Sequence, residues 1–164
     1  MTSRSQPPVK LETAQTEQEK VTVSSTPSCA ITNIRVHQKN IEVVKEYMSI
    51  AYSPTDNKGR DSVAHLCIKD STFTAPTTFP GCETPLDYAD SHAKVMEAVA
   101  DLHIKSYDII FAKDQHVLLR YSAEGSHCGK EHNGIKPSGS KASWTAAAIF
   151  EVEDGKVKSF TKEW

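Results

Sequence analysis

Tyrosine and histidine side chains recur in this chain at positions where they could hold or pass a proton. Tyr88 and His92 stand four residues apart in a stretch with helical periodicity, so they should share one face of a helix. His127 lies at the end of a predicted strand. Imidazole and phenol groups serve as general acids and bases in enzymes. The sequence therefore offers proton-transfer chemistry, provided that the fold brings these groups together.

Each histidine also has a structural interpretation, which the sequence leaves open. His92 could be a core histidine whose ring nitrogens are satisfied by hydrogen bonds. His127 could be the hydrogen-bond partner of a loop carbonyl. His127, Cys128 and His132 form the cluster His-Cys-Gly-Lys-Glu-His, but no recognisable set of further metal ligands accompanies it, so no metal is predicted.

The composition of the chain limits the classes of function in which these side chains can take part. The 164 residues are 38% hydrophobic, enough for one core, and the formal net charge of -2 gives no basic face for nucleic acid. No apolar stretch is long enough for a membrane span, and the start of the chain lacks a secretory signal. The four cysteines are irregularly spaced, which favours reduced thiols. We expect a cytoplasmic protein.

The elements that must position the candidate groups begin after a polar segment. Residues 1–30 carry few large apolar side chains and are predicted to be a disordered tail, followed by one domain over 31–164. Apolar residues at helical spacing predict a first helix with a buried face at Ile41, Val44, Tyr47, Met48 and Ala51. A short second helix should open at Asp61, and an extended piece should cover 71–75.

The third helix has the clearest start signal. Thr84 is a good N-cap, Pro85 suits the first helical position, and Asp87 suits the first turn, so a helix to about Ala100 is predicted. Tyr88, His92 and Met96 fall on its core-facing stripe.

Four strands should follow at 102–112, 116–127, 141–152 and 156–164, joined mostly by short turns into an antiparallel meander. Their alternation predicts one buried face and one polar face, with Arg120 and Glu124 on the polar side as a solvated or subunit-interface pair. Ala146 and Ala148 separate Trp144 from Phe150 on the buried face of the third of these strands. Small side chains there would leave room for a pocket.

Three motifs in this meander carry a family resemblance. Gly125-Ser126-His127-Cys128-Gly129, Pro137-Ser138-Gly139 and Asp154-Gly155-Lys156-Val157 resemble, in order and spacing, those of the SnoaL-like polyketide cyclases of the nuclear-transport-factor-2-like superfamily. The resemblance covers about residues 36–164, and the ending Ser159–Trp164 is similar to fungal members, which often accompany secondary-metabolism genes. We interpret both glycines of the first motif as sites where the strand bends or bulges.

The resemblance implies an α+β fold: a cone-shaped barrel with a curved antiparallel sheet wrapped round N-terminal helices and a central pocket. It also implies acid–base chemistry in that pocket without a cofactor. The acid that the cyclases carry before the Asp-Gly turn aligns with Ala148 here, so other groups must move the proton. We name His92, His127 and Tyr88 as catalytic candidates, with Tyr47, Tyr121, His65 and Asp108 as further groups. The predicted pocket lining is Tyr47, Phe79, Met96, Tyr121, Trp144, Ala146, Ala148, Phe150 and Trp164.

Two classes of function follow and stay open. One is an isomerase, cyclase or dehydratase acting on a hydrophobic carbonyl metabolite of polyketide or terpenoid type. The other is a non-catalytic protein that binds such a molecule or serves as a protein-interaction domain. The outer sheet face in this superfamily commonly packs on a second copy, so a homodimer through a strip with Leu118, Ser122 and Ile149 is expected.

Overall fold

A computed structural model describes residues 27–75 and 77–163, with side-chain placement from residue 32 to residue 162. Over these described residues the chain forms three α-helices, a short 3-10 turn (Ala64–Leu66) and five strands. Most of the expected tail and the whole of Trp164 lie outside the described residues. The helices are α1 (Pro27–Ala51), α2 (Arg60–Val63) and α3 (Pro85–Ala98), and the strands are β1 (Cys67–Thr74), β2 (His103–Lys113), β3 (His116–Ser126), β4 (Lys141–Glu153) and β5 (Lys156–Glu163).

The first helix buries the stripe that its spacing predicts. Val44, Tyr47, Met48 and Ala51 are all fully buried against the sheet. The Tyr47 hydroxyl donates a hydrogen bond to the Pro85 carbonyl over 2.6 Å, so the one polar atom of this stripe is satisfied inside the core. No described helix has both the length and the apolar character required to cross a bilayer.

Helix α3 begins with the capping box that the sequence indicates. The Thr84 hydroxyl accepts from the Asp87 backbone N–H over 3.1 Å, and the Asp87 carboxylate accepts from the Thr84 N–H over 3.0 Å. These reciprocal bonds fix the direction in which the helix leaves the loop. Tyr88, Ala89, His92 and Met96 are consequently turned into the core.

The five strands form one sheet in the order β1-β5-β4-β3-β2. Strands β2 to β5 are the predicted antiparallel meander, and their register is nearly continuous between β3 and β4. Strand β1 was expected as an extended piece, but its position was not: it pairs in parallel with β5 at the edge. The sheet is therefore mixed, in an α+β fold whose helices lie on its inner face.

Two glycines in the motif at the end of β3 have a different role from the one expected. Gly125 stays in regular register opposite Ala142, so the strand does not bulge there. A Cβ on Gly125 would instead collide with Val99, and one on Gly129 would collide with the Glu97 carbonyl. Both glycines permit close contact with the end of α3, where the Gly129 N–H donates to the Ala98 carbonyl.

Candidate functional site

Five polar side-chain tips meet in the space between the helices and the sheet. Tyr52 follows the last turn of α1, Tyr88 and His92 come from α3, Tyr121 comes from β3, and Lys162 comes from β5. All five residues are at most 2% exposed. We call this group the buried polar cluster. It joins two of the three catalytic candidates, Tyr88 and His92, to two residues that were not proposed as catalytic or pocket-lining, Tyr52 and Lys162.

Hydrogen bonds connect the three tyrosines of the buried polar cluster. The Tyr52 and Tyr121 hydroxyl oxygens lie 2.7 Å apart, and the Tyr88 hydroxyl donates to the Tyr52 oxygen over 3.4 Å. Burial raises the pKa of all three phenols, most strongly at Tyr88 and Tyr121. The hydroxyls therefore keep their protons at neutral pH and are hydrogen-bond donors rather than bases.

His92 is held by the end of α1. Its Nδ1 lies 2.7 Å from the carbonyl oxygen of Ala51, the last residue of that helix, which lacks an intrahelical partner. Since a carbonyl oxygen can only accept, Nδ1 carries the proton and Nε2 carries the lone pair. The imidazole ring stacks on Tyr88, with ring centroids 5.1 Å apart and planes 25° apart.

The same environment keeps the His92 imidazole neutral. Burial, and then the nearby Lys162 ammonium, lower its pKa to about 3, although the bond to Ala51 acts in the opposite direction. A base with so low a pKa accepts protons weakly at pH 7. His92 can therefore take a proton efficiently only from a group that its surroundings have made more acidic.

Lys162 is the cation of the cluster. Its Nζ lies 3.5 Å from the hydroxyl oxygens of both Tyr52 and Tyr88. It also lies over the rings of Phe79 and Tyr88, 4.9 Å and 5.3 Å from their centroids. Burial lowers the pKa of its ammonium to about 8. At pH 7 about one molecule in ten then carries a neutral amine at this position.

The register between β4 and β5 explains how a lysine fits into the core. Ala148, where the family acid was expected, is paired directly with Lys162. Paired residues of antiparallel strands present their side chains on the same face. Alanine is the smaller member of this pair, and both residues are buried. The β4–β5 register thus brings a titratable side chain from the neighbouring strand opposite Ala148.

Lys162 and Tyr52 carried weak sequence signals. Lys162 follows Phe160 by two residues, and this alternation places it on the buried face of β5. A lysine among apolar positions of a strand is uncommon enough to mark a candidate. Tyr52 adjoins the buried Ala51 at the end of the first predicted helix, but a single tyrosine after a helix indicates no particular chemistry.

The remaining predicted site residues fall in three places. Tyr47 and Phe150 are fully buried in the aromatic core, with both rings packed on Phe160. The residues beside the buried polar cluster are Phe79, whose ring packs on Tyr88 and His92, and the inner-face alanines Ala146 and Ala148. Two others line cavities at the surface: Met96 on α3 and Trp144 on β4.

His127 lies apart from the other catalytic candidates. It lines a small apolar cavity of about 180 Å³ with Val95, Val99, His132 and Ile135. Its Nε2 is buried and has no hydrogen-bond partner among the described residues. The structure thus places His127 at the end of α3, outside the buried polar cluster. No group of three or more His, Cys, Asp or Glu side chains suited to a metal ion occurs in the described part of the chain.

The further proton-transfer groups lie on the outside. Asp108 is on the outer sheet face, where it accepts from Arg120 over 3.1 Å, and His65 is exposed beside Glu46. Arg120 and Glu124, expected to form a pair, each bond to a side chain of β2 instead; the partner of Glu124 is Lys105, at 2.9 Å. These ion pairs cross between neighbouring strands, which antiparallel register brings closer than residues four apart on one strand.

A larger cavity adjoins the cluster on the side of α1 and β2. Its volume is about 540 Å³, enough for a drug-sized molecule, and Tyr52 forms part of its wall. The aromatic ring of Tyr107 and the apolar Ile104 line it together with Lys45, Glu46, Ser49, Ser53, Pro54 and His103. Tyr52 therefore lines this cavity and also contacts the tips of Tyr121 and Lys162.

Comparisons with known proteins agree with this architecture. The sequence model of the SnoaL-like polyketide cyclases matches residues 42–163. A solved structure of a proposed polyketide cyclase from Xanthomonas campestris superposes with a TM-score of 0.63 at 17% identity, covering 78% of this chain and 91% of the other. A proposed SnoaL-like polyketide cyclase from Jannaschia gives 0.61 at 17% identity, covering 78% and 86%. A protein of ketosteroid isomerase-like fold from Catenulispora acidiphila gives 0.58 at 11%, covering 75% and 85%. No curated protein sequence matches significantly. At these identities the likeness of the structures is one of fold.

Proposed function

The chain belongs to the SnoaL-like polyketide cyclase family, and we propose that it is a cofactor-independent isomerase, cyclase or lyase. Its substrate would be a hydrophobic carbonyl compound of polyketide or terpenoid type, and its reaction would move a proton next to the carbonyl group. The buried polar cluster is the observation that carries this proposal, because it gathers proton-holding groups within an aromatic core.

The donors of the cluster suit a carbonyl oxygen. The hydroxyls of Tyr52 and Tyr88 and the ammonium of Lys162 lie within 3.5 Å of one another, so an oxygen atom placed between them can accept several hydrogen bonds. Removing a proton beside the carbonyl turns that oxygen into an enolate oxyanion. Donors fixed in a water-poor site stabilise such a charge strongly as it develops.

His92 would accept the proton through Nε2. Its Nδ1 is occupied by the Ala51 carbonyl, which fixes the tautomer and the ring orientation. Because its pKa is only about 3, transfer to His92 requires that the oxyanion be well stabilised. Donors and acceptor are therefore needed together, and loss of either should stop the reaction.

The body of the substrate would occupy the cavity of about 540 Å³ beside Tyr52. Its aromatic and aliphatic wall at Tyr107 and Ile104 suits an apolar molecule. Tyr52 belongs to both the cavity and the cluster, so a small rotation of its ring would connect the two. The carbonyl end of the substrate would then reach Lys162.

The test is hydrogen–deuterium exchange beside the carbonyl group, which needs no knowledge of the natural product. A panel of aromatic and terpenoid ketones is incubated with the enzyme in D2O, and loss of the α-proton signal is followed by NMR. Exchange with the wild type should fall by about 100-fold in Tyr88→Phe, the loss typical of one oxyanion donor. Tyr47→Phe, which removes a buried hydroxyl of the aromatic core outside the buried polar cluster, is the matched control.

A non-catalytic binding protein is the alternative function. It is favoured by the engagement of His92 with a helix-end carbonyl, which is a structural role. Failure of the wild type to exchange any ketone of the panel, together with native mass spectra showing one such ketone bound, would establish binding without catalysis.

We also propose that the protein forms a homodimer through the outer face of the sheet. Phe111, Leu118 and Ile149 are 58%, 39% and 45% exposed and stand side by side on β2, β3 and β4. A row of exposed apolar side chains across three strands supports contact with a second copy. Light scattering should give twice the monomer mass for the wild type and the monomer mass for Ile149→Lys.

A further inference from the structure

The surroundings of Lys162 suit a lysine that reacts covalently as well as one that donates hydrogen bonds. We propose that its Nζ adds to the carbonyl carbon of an aldehyde or ketone and forms an imine, with Tyr52 and Tyr88 supplying and returning the protons of that step. This rests on the proposed function, which supplies a carbonyl substrate, and it adds a covalent intermediate.

The position of Nζ supports this role. The amine lies 3.5 Å from each of two phenolic hydroxyls, both of which are protonated because burial raises their pKa. Imine formation needs an acid beside the amine, because the carbonyl oxygen must finally leave as water. Tyr52 and Tyr88 stand where such an acid is required.

The burial of Lys162 supports its proposed role as the nucleophile. A lysine attacks carbonyl groups only as the neutral amine, and burial lowers the pKa of Lys162 to about 8. The Phe79 and Tyr88 rings flank Nζ, and the small Ala148 lies opposite on the next strand. The small side chain at the paired position makes the alanine side the proposed direction of approach for the substrate carbon.

The bonds in this step balance without an added reactant. The nitrogen lone pair forms a C–N bond while the carbonyl π electrons move to oxygen, which takes a proton from a tyrosine hydroxyl. The resulting carbinolamine loses its hydroxyl group as water when that oxygen accepts a second proton, and the C=N bond forms. The two protons lost by nitrogen return to the tyrosines. The overall reaction is amine plus carbonyl to imine plus water.

An imine would also compensate for the low basicity of His92. Once protonated, the C=N group is a stronger electron sink than a hydrogen-bonded carbonyl, so the adjacent carbon becomes more acidic. A base of low pKa such as His92 can then accept the proton and leave a neutral enamine. The covalent step thereby matches the acid strength of the substrate to the acceptor present.

The experiment is reductive trapping with benzaldehyde as the probe and sodium borohydride as the reductant. Borohydride converts an imine into a stable benzyl amine, and peptide mass spectrometry locates the modified lysine in the full-length wild-type protein. At pH 7 Lys162 should be labelled at least tenfold faster than Lys158, which lies on the same strand but outside the core. Because mapping uses the wild type, the test does not depend on whether a variant folds.

Lys162→Met is the second arm and should lose the fast-labelled peptide, whereas Lys158→Met should keep it. Labelling of surface lysines with Lys162 unmodified would overturn the imine. The ketone exchange assay separates the two proposals. Exchange without a Lys162 adduct would leave acid–base catalysis standing and remove the covalent step; an adduct without exchange would uphold the imine and remove the proton transfer.

Discussion

The two faces of the sheet place similar side chains in opposite environments. On the inner face, Tyr121 and Lys162 belong to the buried polar cluster. On the outer face, Arg120 and Asp108 form an ion pair in which the arginine side chain is 50% exposed. Tyr121 and Arg120 are adjacent in sequence, so strand alternation alone separates them. Charged side chains on the outer face are solvated, whereas on the inner face burial changes the pKa of Tyr121 and Lys162.

The environment of a polar side chain in this fold depends on which face of the sheet carries it. Outer-face charges remain in contact with water, where an ion pair stabilises little. The inner-face groups of the buried polar cluster are buried and share one another's hydrogen bonds.

The largest effect is expected from removing an aromatic ring on the inner face. Phe160 is fully buried and stacks on Phe150 at 4.2 Å between centroids, so Phe160→Ala should lower the free energy of unfolding by about 3–5 kcal/mol. Phe111→Ala, on the outer face, should cost less than about 1 kcal/mol in the monomer. Urea unfolding of both variants measures the difference. Equal losses would contradict the assignment of the two faces.

The second prediction concerns the stability of the protein at acidic pH. Below pH 6.5 the unfolded chain binds a proton at His92 that the folded protein, with a pKa of about 3, does not bind, so the free energy of unfolding should fall as the pH drops. Between pH 6.5 and 4.5 the loss should be about 2–3 kcal/mol.

His92→Asn keeps a donor for the Ala51 carbonyl but cannot titrate, so its stability should change less over this interval. The exposed His65→Asn variant should behave as the wild type. Chemical unfolding at each pH provides the measurement. An unchanged slope in His92→Asn would show that His92 is not the group responsible.

The third prediction concerns Lys162 and alkaline pH. Between pH 8 and 10.5 the unfolded chain holds a proton on this lysine that the folded protein has released, so the stability of the wild type should rise with pH. From pH 7.5 to 9.5 the wild type should gain about 2 kcal/mol relative to Lys162→Met.

The two proteins are compared at each pH, so that the titration of tyrosines common to both cancels. Lys158→Met, outside the core, tests for a general effect of losing a lysine. A constant difference between the wild type and Lys162→Met across this range would contradict the lowered pKa.

The smallest effect is expected on the outer face. Asp108 accepts hydrogen bonds from Ser106, Ser122 and Arg120, and the first of these is the largest cause of its lowered pKa. Asp108→Asn should reduce the melting temperature slightly in dilute buffer, and the difference should shrink in 1 M salt because exposed charges are screened. The Lys162→Met difference should persist in the same salt. Thermal scans at two salt concentrations distinguish the two faces.

Much of the fold could be predicted because its signals are local. The capping residues of α3 lie within four positions of one another, and the strand alternation repeats every two residues. The parallel pairing of β1 with β5 could not be predicted in this way. It joins Phe73 to Phe160 across three strands and a helix, and the pairing partner of an edge strand is not encoded in its own residues.

Two members of the buried polar cluster could be named from local signals of the same kind, and their catalytic roles stay predictions. Tyr88 and His92 were identified because one helix face presents both. His127 was grouped with them on its chemical type, yet the structure places it at the far end of α3 beside Val99. Lys162 was missed because its significance depends on Ala148, a residue fourteen positions earlier that only the β4–β5 register brings opposite to it.

The sequence by itself determined which residues face inward, where α3 begins and which side chains can hold a proton, since these depend on neighbours along the chain. The tertiary structure decided which of those side chains meet. The bond from His92 to Ala51 and the approach of Lys162 to Tyr52 join residues 41 and 110 positions apart. Burial of such contacts sets the protonation of each group, and it exists only once distant elements have packed together.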